Sequence, residues 1–394
     1  MKTDTRLISP SPYWSQRLAA LEPYTPGEQP RDRRYIKLNT NESPYPPSPK
    51  VLEAIRQAAN ADLRLYPDPT CLALRTAIAE RYGLPGADWV FVGNGSDEIL
   101  AFAFAAFFGP REAAAGAKST AQEAKEAAEQ TALQTAAGNP DTRPLLFPDI
   151  TYSFYPVYAE LWNIPFRTIP VHDHFEISVE DYKQPACGVV LANPNAPTGI
   201  GLARESLIKL IDWHREAGNV VLVDEAYVDF GGESLADQVQ RYNNLLVVHT
   251  LSKSRSLAGL RVGYALGHPD LIEGLRRIKD SFNSYTLDRL ALAGAQAAIE
   301  DREYYDAMAA RIVATRERSR AELEALGFEV LPSAANFIFI RHPARRGAEL
   351  FQALRNRGIL VRHWNKGRIY DYLRVSIGTD EEMDTLIRIC REII

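Results

Sequence analysis

Lys253 stands in Thr250-Leu251-Ser252-Lys253-Ser254, flanked by small hydroxyl residues and directly behind an apolar run, with Arg261 eight positions on. An amine at the end of a buried strand lies where α/β sheets tend to bind ligands. Desolvation or neighbouring cations lower its pKa, so such a lysine can act as a nucleophile and a general base. Ser252 and Arg261 would add a hydroxyl and a charge-assisted fork for an anion such as phosphate.

Three further segments follow the same rule of polar residues after an apolar run. In Val223-Asp224-Glu225-Ala226-Tyr227 the carboxylate could serve as metal ligand, general base or partner of a buried cation. A metal is disfavoured, because neither a His nor a second carboxylate stands at suitable spacing apart from the adjacent Glu225. An Asp that keeps a pyridine nitrogen protonated fits the electron-sink chemistry of pyridoxal phosphate, and Tyr227 could reach the ring's phenolic oxygen. Gly93-Asn94-Gly95-Ser96-Asp97-Glu98 precedes an apolar helix, whose free N–H groups would form an anion site. That segment is specific only beside Ser252 and Arg261, which would complete a phosphate cup. Asn193-Pro194-Asn195-Ala196-Pro197-Thr198-Gly199 also has the composition of an ordinary turn, and the segment alone leaves both readings open.

The elements that must hold these residues read as an α/β chain. Short apolar runs at 188–192, 220–223 and 245–248 predict buried strands, with a helix over 206–217 between the first two. That rhythm implies a mainly parallel sheet flanked by helices. Helices are also expected over 51–59 and 71–82. After residue 270 come long helices, then strands near 336–341, 359–362 and 372–377 with a helix over 347–357, a smaller α+β unit. The expected division is an arm over 1–50, a large domain over 51–285 and a small domain over 286–394. Residues 112–137 break the rhythm: Ala dominates, and Leu133 is the single large apolar residue. Ala favours helix, but without an apolar stripe the segment has nothing to dock with, so an exposed, mobile, partly helical insertion is expected.

Composition narrows the class. With 394 residues, 46% hydrophobic and 24% charged, the chain suits a large domain plus a smaller one in a soluble enzyme. A net charge of −5 gives no reason to expect nucleic acid or an anionic membrane as partner. Cys71, Cys187 and Cys390 lie far apart without CxxC pairing, which argues against a disulfide framework or zinc and for the cytoplasm. The longest apolar stretch, 99–108, is about half the ~20 residues that span a bilayer.

Together the segments match fold-type-I pyridoxal-phosphate enzymes, and more narrowly the chain resembles the histidinol-phosphate aminotransferases. The likeness covers nearly everything outside 112–137. It runs through Leu38-Asn39-Thr40-Asn41-Glu42-Ser43-Pro44, Tyr66-Pro67-Asp68-Pro69, Gly93 to Glu98 and Thr151-Tyr152-Ser153-Phe154-Tyr155. It continues in Asn195 to Gly199, Asp224 to Tyr227, Ser252-Lys253, Leu257 to Tyr264 and Tyr372-Leu373-Arg374-Val375-Ser376-Ile377-Gly378-Thr379.

The resemblance implies that Lys253 binds pyridoxal 5′-phosphate as a Schiff base and later shuttles a proton. Asp224 would pair with the ring nitrogen, Tyr227 with the ring oxygen, and Tyr152 would stack on the ring face. Ser96, Asp97, Ser252 and Arg261 would hold the phosphate. Tyr66 would reach the cofactor of the neighbouring subunit, making a homodimer part of the mechanism. Arg362 and Arg374 match the two substrate-facing arginines, and Asn336 is a polar contact in the same cleft. One position departs from the pattern: Ala196 stands where an Asn usually bonds the ring oxygen, and Asn195 is expected to take over. The implied reaction is ping-pong amino transfer between glutamate/2-oxoglutarate and histidinol phosphate/imidazole acetol phosphate. Alternatives are an aromatic amino-acid aminotransferase, a threonine-phosphate decarboxylase or, from a different class, a pyridoxal-phosphate-sensing regulator. The regulator lacks support, since such proteins carry an N-terminal helix-turn-helix domain and only about fifty irregular residues precede the enzyme here.

Overall fold

The computed structural model describes residues 13–15, 18, 21–24, 26–109 and 143–394, so the expected insertion at 112–137 lies outside the described residues. The chain runs through β1 (Ile36–Lys37), α1 (Pro49–Ala58), α2 (Leu72–Arg81), β2 (Val90–Gly93) and α3 (Gly95–Phe107). Next come β3 (Leu145–Pro148), α4 (Phe154–Leu161), β4 (Phe166–Ile169), β5 (Gly188–Ala192) and α5 (Arg204–Glu216). β6 (Val220–Asp224), β7 (Leu245–Thr250), β8 (Gly263–Gly267) and α6 (Pro269–Phe282) close the large layer. The remainder comprises α7 (Arg289–Glu300), α8 (Arg302–Ala325), β9 (Glu329–Val330), β10 (Phe337–Arg341) and α9 (Gly347–Asn356). It ends in β11 (Ile359–Leu360), β12 (Arg362–His363), β13 (Leu373–Ser376) and α10 (Asp380–Ile393).

Seven strands form one sheet in the order β2-β8-β7-β6-β5-β3-β4. β3 to β7 run parallel, and β8 is antiparallel to both β7 and β2. Every residue of β5, β6 and β7 is buried, as expected of continuous apolar runs in a sheet covered on both faces. The fold class is therefore the α/β one expected from the sequence. Parallel register aligns Ala192 with Asp224 and Asp224 with Val248. The loops leaving β5, β6 and β7 thus open at one edge, which gathers residues far apart in sequence.

A second sheet, order β12-β13-β10-β9, is antiparallel. The arm joins the same part of the molecule, since β1 pairs in parallel with β11. The first helix beyond the expected boundary at 285/286 behaves otherwise. α7 contributes Ala291, Ala295, Ala298 and Ile299 to the apolar core of the seven-stranded sheet, a core that extends to Tyr305. Among the described residues no helix is long and apolar enough to cross a membrane.

Candidate active site

At that shared edge lies a cavity of about 290 Å³, lined by residues that include Ser96, Asp224, Tyr227, Ser252, Lys253 and Arg261. Lys253 Nζ donates to the Thr40 carbonyl at 3.2 Å and lies 5.9 Å from the Tyr227 ring centre. The loop around it is braced from the segment after β6: Ser254 Oγ donates to Asp229, and Arg255 Nη2 stands 3.8 Å from the same carboxylate.

Asp224 ends β6 with its carboxyl almost fully buried. Burial pushes its pKa from 3.8 up to about 6, opposed by hydrogen bonds from Tyr155 and the Ala226 N–H. Tyr155 Oη donates to Oδ2 at 3.0 Å, and the Ala226 N–H to Oδ1 at 3.1 Å. Among the described residues no cationic side chain forms an ion pair with it, so a ligand cation at this point would relieve its desolvation.

The anion end is built on α3. Gly95 has φ +78°, and a Cβ there would stand 2.6 Å from Arg261 Nη2. On β8, a Cβ at Gly263 would lie 2.5 Å from the Ser96 backbone nitrogen and 3.0 Å from the His249 carbonyl. Only glycine lets the strand approach the start of the helix this closely. Arg261 Nη1 donates to Ser252 Oγ at 3.3 Å and Nη2 to Asp97 Oδ2 at 3.1 Å. Tyr152 Oη donates to the other Asp97 oxygen at 2.7 Å, which fixes the tyrosine ring on the cavity wall. The Asp97 side chain thus orients Tyr152 and Arg261, a part the sequence reading did not give it.

Tyr152 and Ala196 also line a second, adjoining chamber of about 480 Å³, bounded by Arg362, Trp364 and Arg374. Arg362 faces Arg374 directly across the β12–β13 ladder. Like charges placed opposite each other repel unless an anion joins them. The Arg374 guanidinium lies 5.3 Å from the Phe337 ring centre, donates through Nη2 to the Asn39 carbonyl at 3.1 Å, and keeps a buried Nε without a partner. Burial, with Arg362 beside it, holds its pKa below the ordinary arginine value.

Three expected residues fall elsewhere. Asn195 is buried and does not line either chamber: its Nδ2 donates to the Ile150 carbonyl at 2.9 Å, and its Oδ1 accepts from Thr151 Oγ1 at 2.8 Å. It therefore shapes its own loop and cannot stand in for the residue replaced by Ala196. Asn336 is likewise buried outside the chambers, donating through Nδ2 to the Asn41 carbonyl at 3.0 Å. Tyr66 stacks on Tyr285 with ring centres 4.6 Å apart, 79% exposed and away from this chain's own cavity.

The family model for aminotransferases of class I and II matches residues 33–119 and 124–389. The chain belongs to that family. This aminotransferase is 50% identical over 384 residues to a histidinol-phosphate aminotransferase of Clostridium beijerinckii, with 98% of each chain covered. It is 52% identical to one of Acetobacter pasteurianus at the same coverage. Among solved structures it superposes on the histidinol-phosphate aminotransferase of Sinorhizobium meliloti, in complex with pyridoxal-5′-phosphate, with TM-score 0.78 and 22% identity over 98% of this chain and 100% of that one. That likeness bears on the fold alone.

The aminotransferase site also holds residues that sequence reasoning passed over. Asn41, in the arm with φ 56°, donates through Nδ2 to Tyr227 Oη at 3.0 Å. Its own Oδ1 accepts from Ser376 Oγ at 2.8 Å. Tyr155 and Asn41 both lie inside segments that carried the resemblance, but a buried tyrosine and a turn asparagine look like packing and turn residues until the fold aims them.

Proposed function

We propose that this pyridoxal-phosphate-dependent aminotransferase moves an amino group between glutamate/2-oxoglutarate and histidinol phosphate/imidazole acetol phosphate, a step of histidine biosynthesis. The observation that carries the reading is the pair Arg362 and Arg374, opposed across one ladder beside the Lys253 cavity. Two planar forks at one place suit a phosphate monoester or a carboxylate in turn. The identities with the Clostridium and Acetobacter enzymes support the same substrate.

The residues present fit the cofactor. Asp224 is a desolvated carboxylate lacking a cation among the described residues, suited to a protonated pyridine nitrogen. Tyr227, steadied by Asn41, would pair with the ring oxygen, and Tyr152, held by Asp97, would stack on the ring face. Ser96, Ser252 and Arg261 would hold the phosphate, with Gly95 and Gly263 leaving room at the helix start. When bound, pyridoxal 5′-phosphate supplies the carbonyl that takes the amine and the ring that accepts an electron pair. Lys253 Nζ binds it and serves as the base that takes the proton from the substrate α-carbon. Arg374 and Arg362 orient the anionic substrate so that this proton faces Lys253. Ping-pong order follows, because both substrates use the same arginines in succession.

The working unit is proposed to be a cytoplasmic homodimer in which Tyr66 enters the partner's site. The exposure of Tyr66 supports the dimer, and the absence of a disulfide among the three buried cysteines suits a reducing compartment. The cofactor would be held chiefly by a large domain over 51–285, to whose core α7 adds from beyond that boundary, with the rest of 286–394 and the 1–50 arm as a small domain; the β1–β11 pairing supports the arm's place.

A coupled assay with histidinol phosphate and 2-oxoglutarate tests the reading, with phenylalanine and threonine phosphate as rivals. Histidinol phosphate should give the highest kcat/KM. Borohydride should fix the cofactor to Lys253 in the wild type, and Lys253→Ala should lose both label and turnover. A wild type that ignores histidinol phosphate overturns the assignment.

A further inference from the structure

Between β12 and β13 the chain turns over the outer wall of the substrate chamber, presenting Trp364 and Arg368. The Trp364 ring centre lies 5.6 Å from the Arg362 guanidinium and 5.4 Å from that of Arg374. Among the described residues the polar link from the turn to the large sheet is a single side chain. Arg368 Nη2 donates to Asp149 Oδ2 at 2.8 Å, and Nη1 donates to the Val171 carbonyl at 2.7 Å. Asp149, just past β3, uses its other oxygen to accept the Val171 N–H at 2.9 Å. One carboxylate thus ties the segment after β4 to the turn. Beneath it, Ile369 and Val171 share a small apolar cluster with Phe339 and Tyr372, on which Trp364 packs. Among the described residues these are the polar contacts that run from residues 364–369 to the large sheet.

We propose that Arg368 and Asp149 form a clasp that positions Trp364 against Arg362 and Arg374 and so sets the affinity of the chamber for the anionic end of the substrate. Arg368 is a positioning residue: its fork is taken up by Asp149 and Val171, and it acts on substrate through the turn. A guanidinium suits the part because its two nitrogens bridge a carboxylate and a carbonyl at fixed geometry, which a lysine cannot reproduce. With side chains 43% and 30% exposed, the pair is no main support of the fold, so its removal should act on binding and leave folding intact. The inference rests on the reading above only in that the substrates are anionic.

Opposite charges make the test decisive. Arg368→Gln removes a positive charge beside the chamber and Asp149→Asn a negative one. An effect of charge alone would move KM in opposite directions, whereas loss of the clasp raises it in both. Expected is a rise in KM for histidinol phosphate of about tenfold in each, exceeding any fall in kcat, with Arg368→Lys also impaired. Arg368→Gln with Asp149→Asn should be no worse than either alone. The cofactor's visible absorbance and the unfolding midpoint should stay near wild type in all variants. KM shifts of opposite sign, additive effects in the double variant, or an unchanged KM in Arg368→Gln each overturn the clasp. If the wild type does not turn over histidinol phosphate, the substrate assignment fails on its own, and the clasp is scored on KM for glutamate. If a variant is poorly folded, Arg368→Lys, which keeps the charge, decides by the same KM criterion.

Discussion

Asp224 shows how burial becomes chemistry at a single residue. Its carboxyl titrates near 6 instead of 3.8 because the end of β6 is dry, and Tyr155 and the Ala226 N–H offset only part of that cost. Between about pH 4 and 6 the folded chain holds a proton that the unfolded chain has released, so this group's contribution to stability falls as pH rises through that window. The two values differ by about two units, equivalent to about 3 kcal/mol lost by pH 7. In cofactor-free protein, the unfolding free energy of Asp224→Asn relative to wild type should therefore climb by about 2 kcal/mol from pH 4 to pH 7. With cofactor bound, a pyridinium partner offsets the burial and the climb should vanish. Denaturant titrations at several pH values check both halves; a flat difference in the cofactor-free protein would mean that the carboxyl is not desolvated. Tyr155 belongs to the same argument, since its hydroxyl is one of two donors that hold Asp224 toward its charged form.

At the scale of elements, the site depends on how closely β8 can approach the start of α3. Gly263→Ala would place a methyl 2.5 Å from the Ser96 nitrogen and 3.0 Å from the His249 carbonyl, both backbone atoms that cannot swing aside. Overpacking of this kind costs roughly 1–3 kcal/mol. Because the displaced group is the helix start itself, cofactor affinity should fall along with the melting temperature; a dialysed variant that keeps its cofactor as well as wild type contradicts this account. Apolar runs made β5, β6 and β7 legible in the sequence, because a strand buried on both faces has no polar alternative. Lys253, Asp224 and Arg261 were legible because the loops after such strands must open at one edge. Asn195 was misjudged on adjacency: one step along an irregular loop turned its amide toward Ile150 and Thr151. The Arg368–Asp149 contact joins positions 219 apart, a pairing that no local pattern encodes. The helix α7 shows the same limit, since its small-residue face decides which core it joins only when α1 and the sheet are in place.

For the whole molecule the outstanding feature is apolar surface that one chain leaves bare. Leu63, Leu65, Tyr66 and Leu72 stand out from the segment around α2, and Phe282 and Tyr285 from the end of α6, each at least 44% exposed. Tyr66 and Tyr285 stack on each other, which joins the two groups into one patch of the kind that marks an interface. A homodimer closing over this patch would bring Tyr66 toward the partner's anion end while its own cavity receives the partner's tyrosine. Subunit mixing tests that geometry directly. Tyr66→Phe retains Lys253, and Lys253→Ala retains Tyr66, so each homodimer should be impaired. In the mixed dimer one site combines the intact lysine of one chain with the intact tyrosine of the other, and the second site has neither. Co-refolded mixtures should therefore regain activity above the sum of the separate variants, in proportion to mixed dimer resolved by differently tagged chains. A mixture no better than that sum, with mixed dimers present, would place Tyr66 outside the partner's site and leave the patch as packing alone.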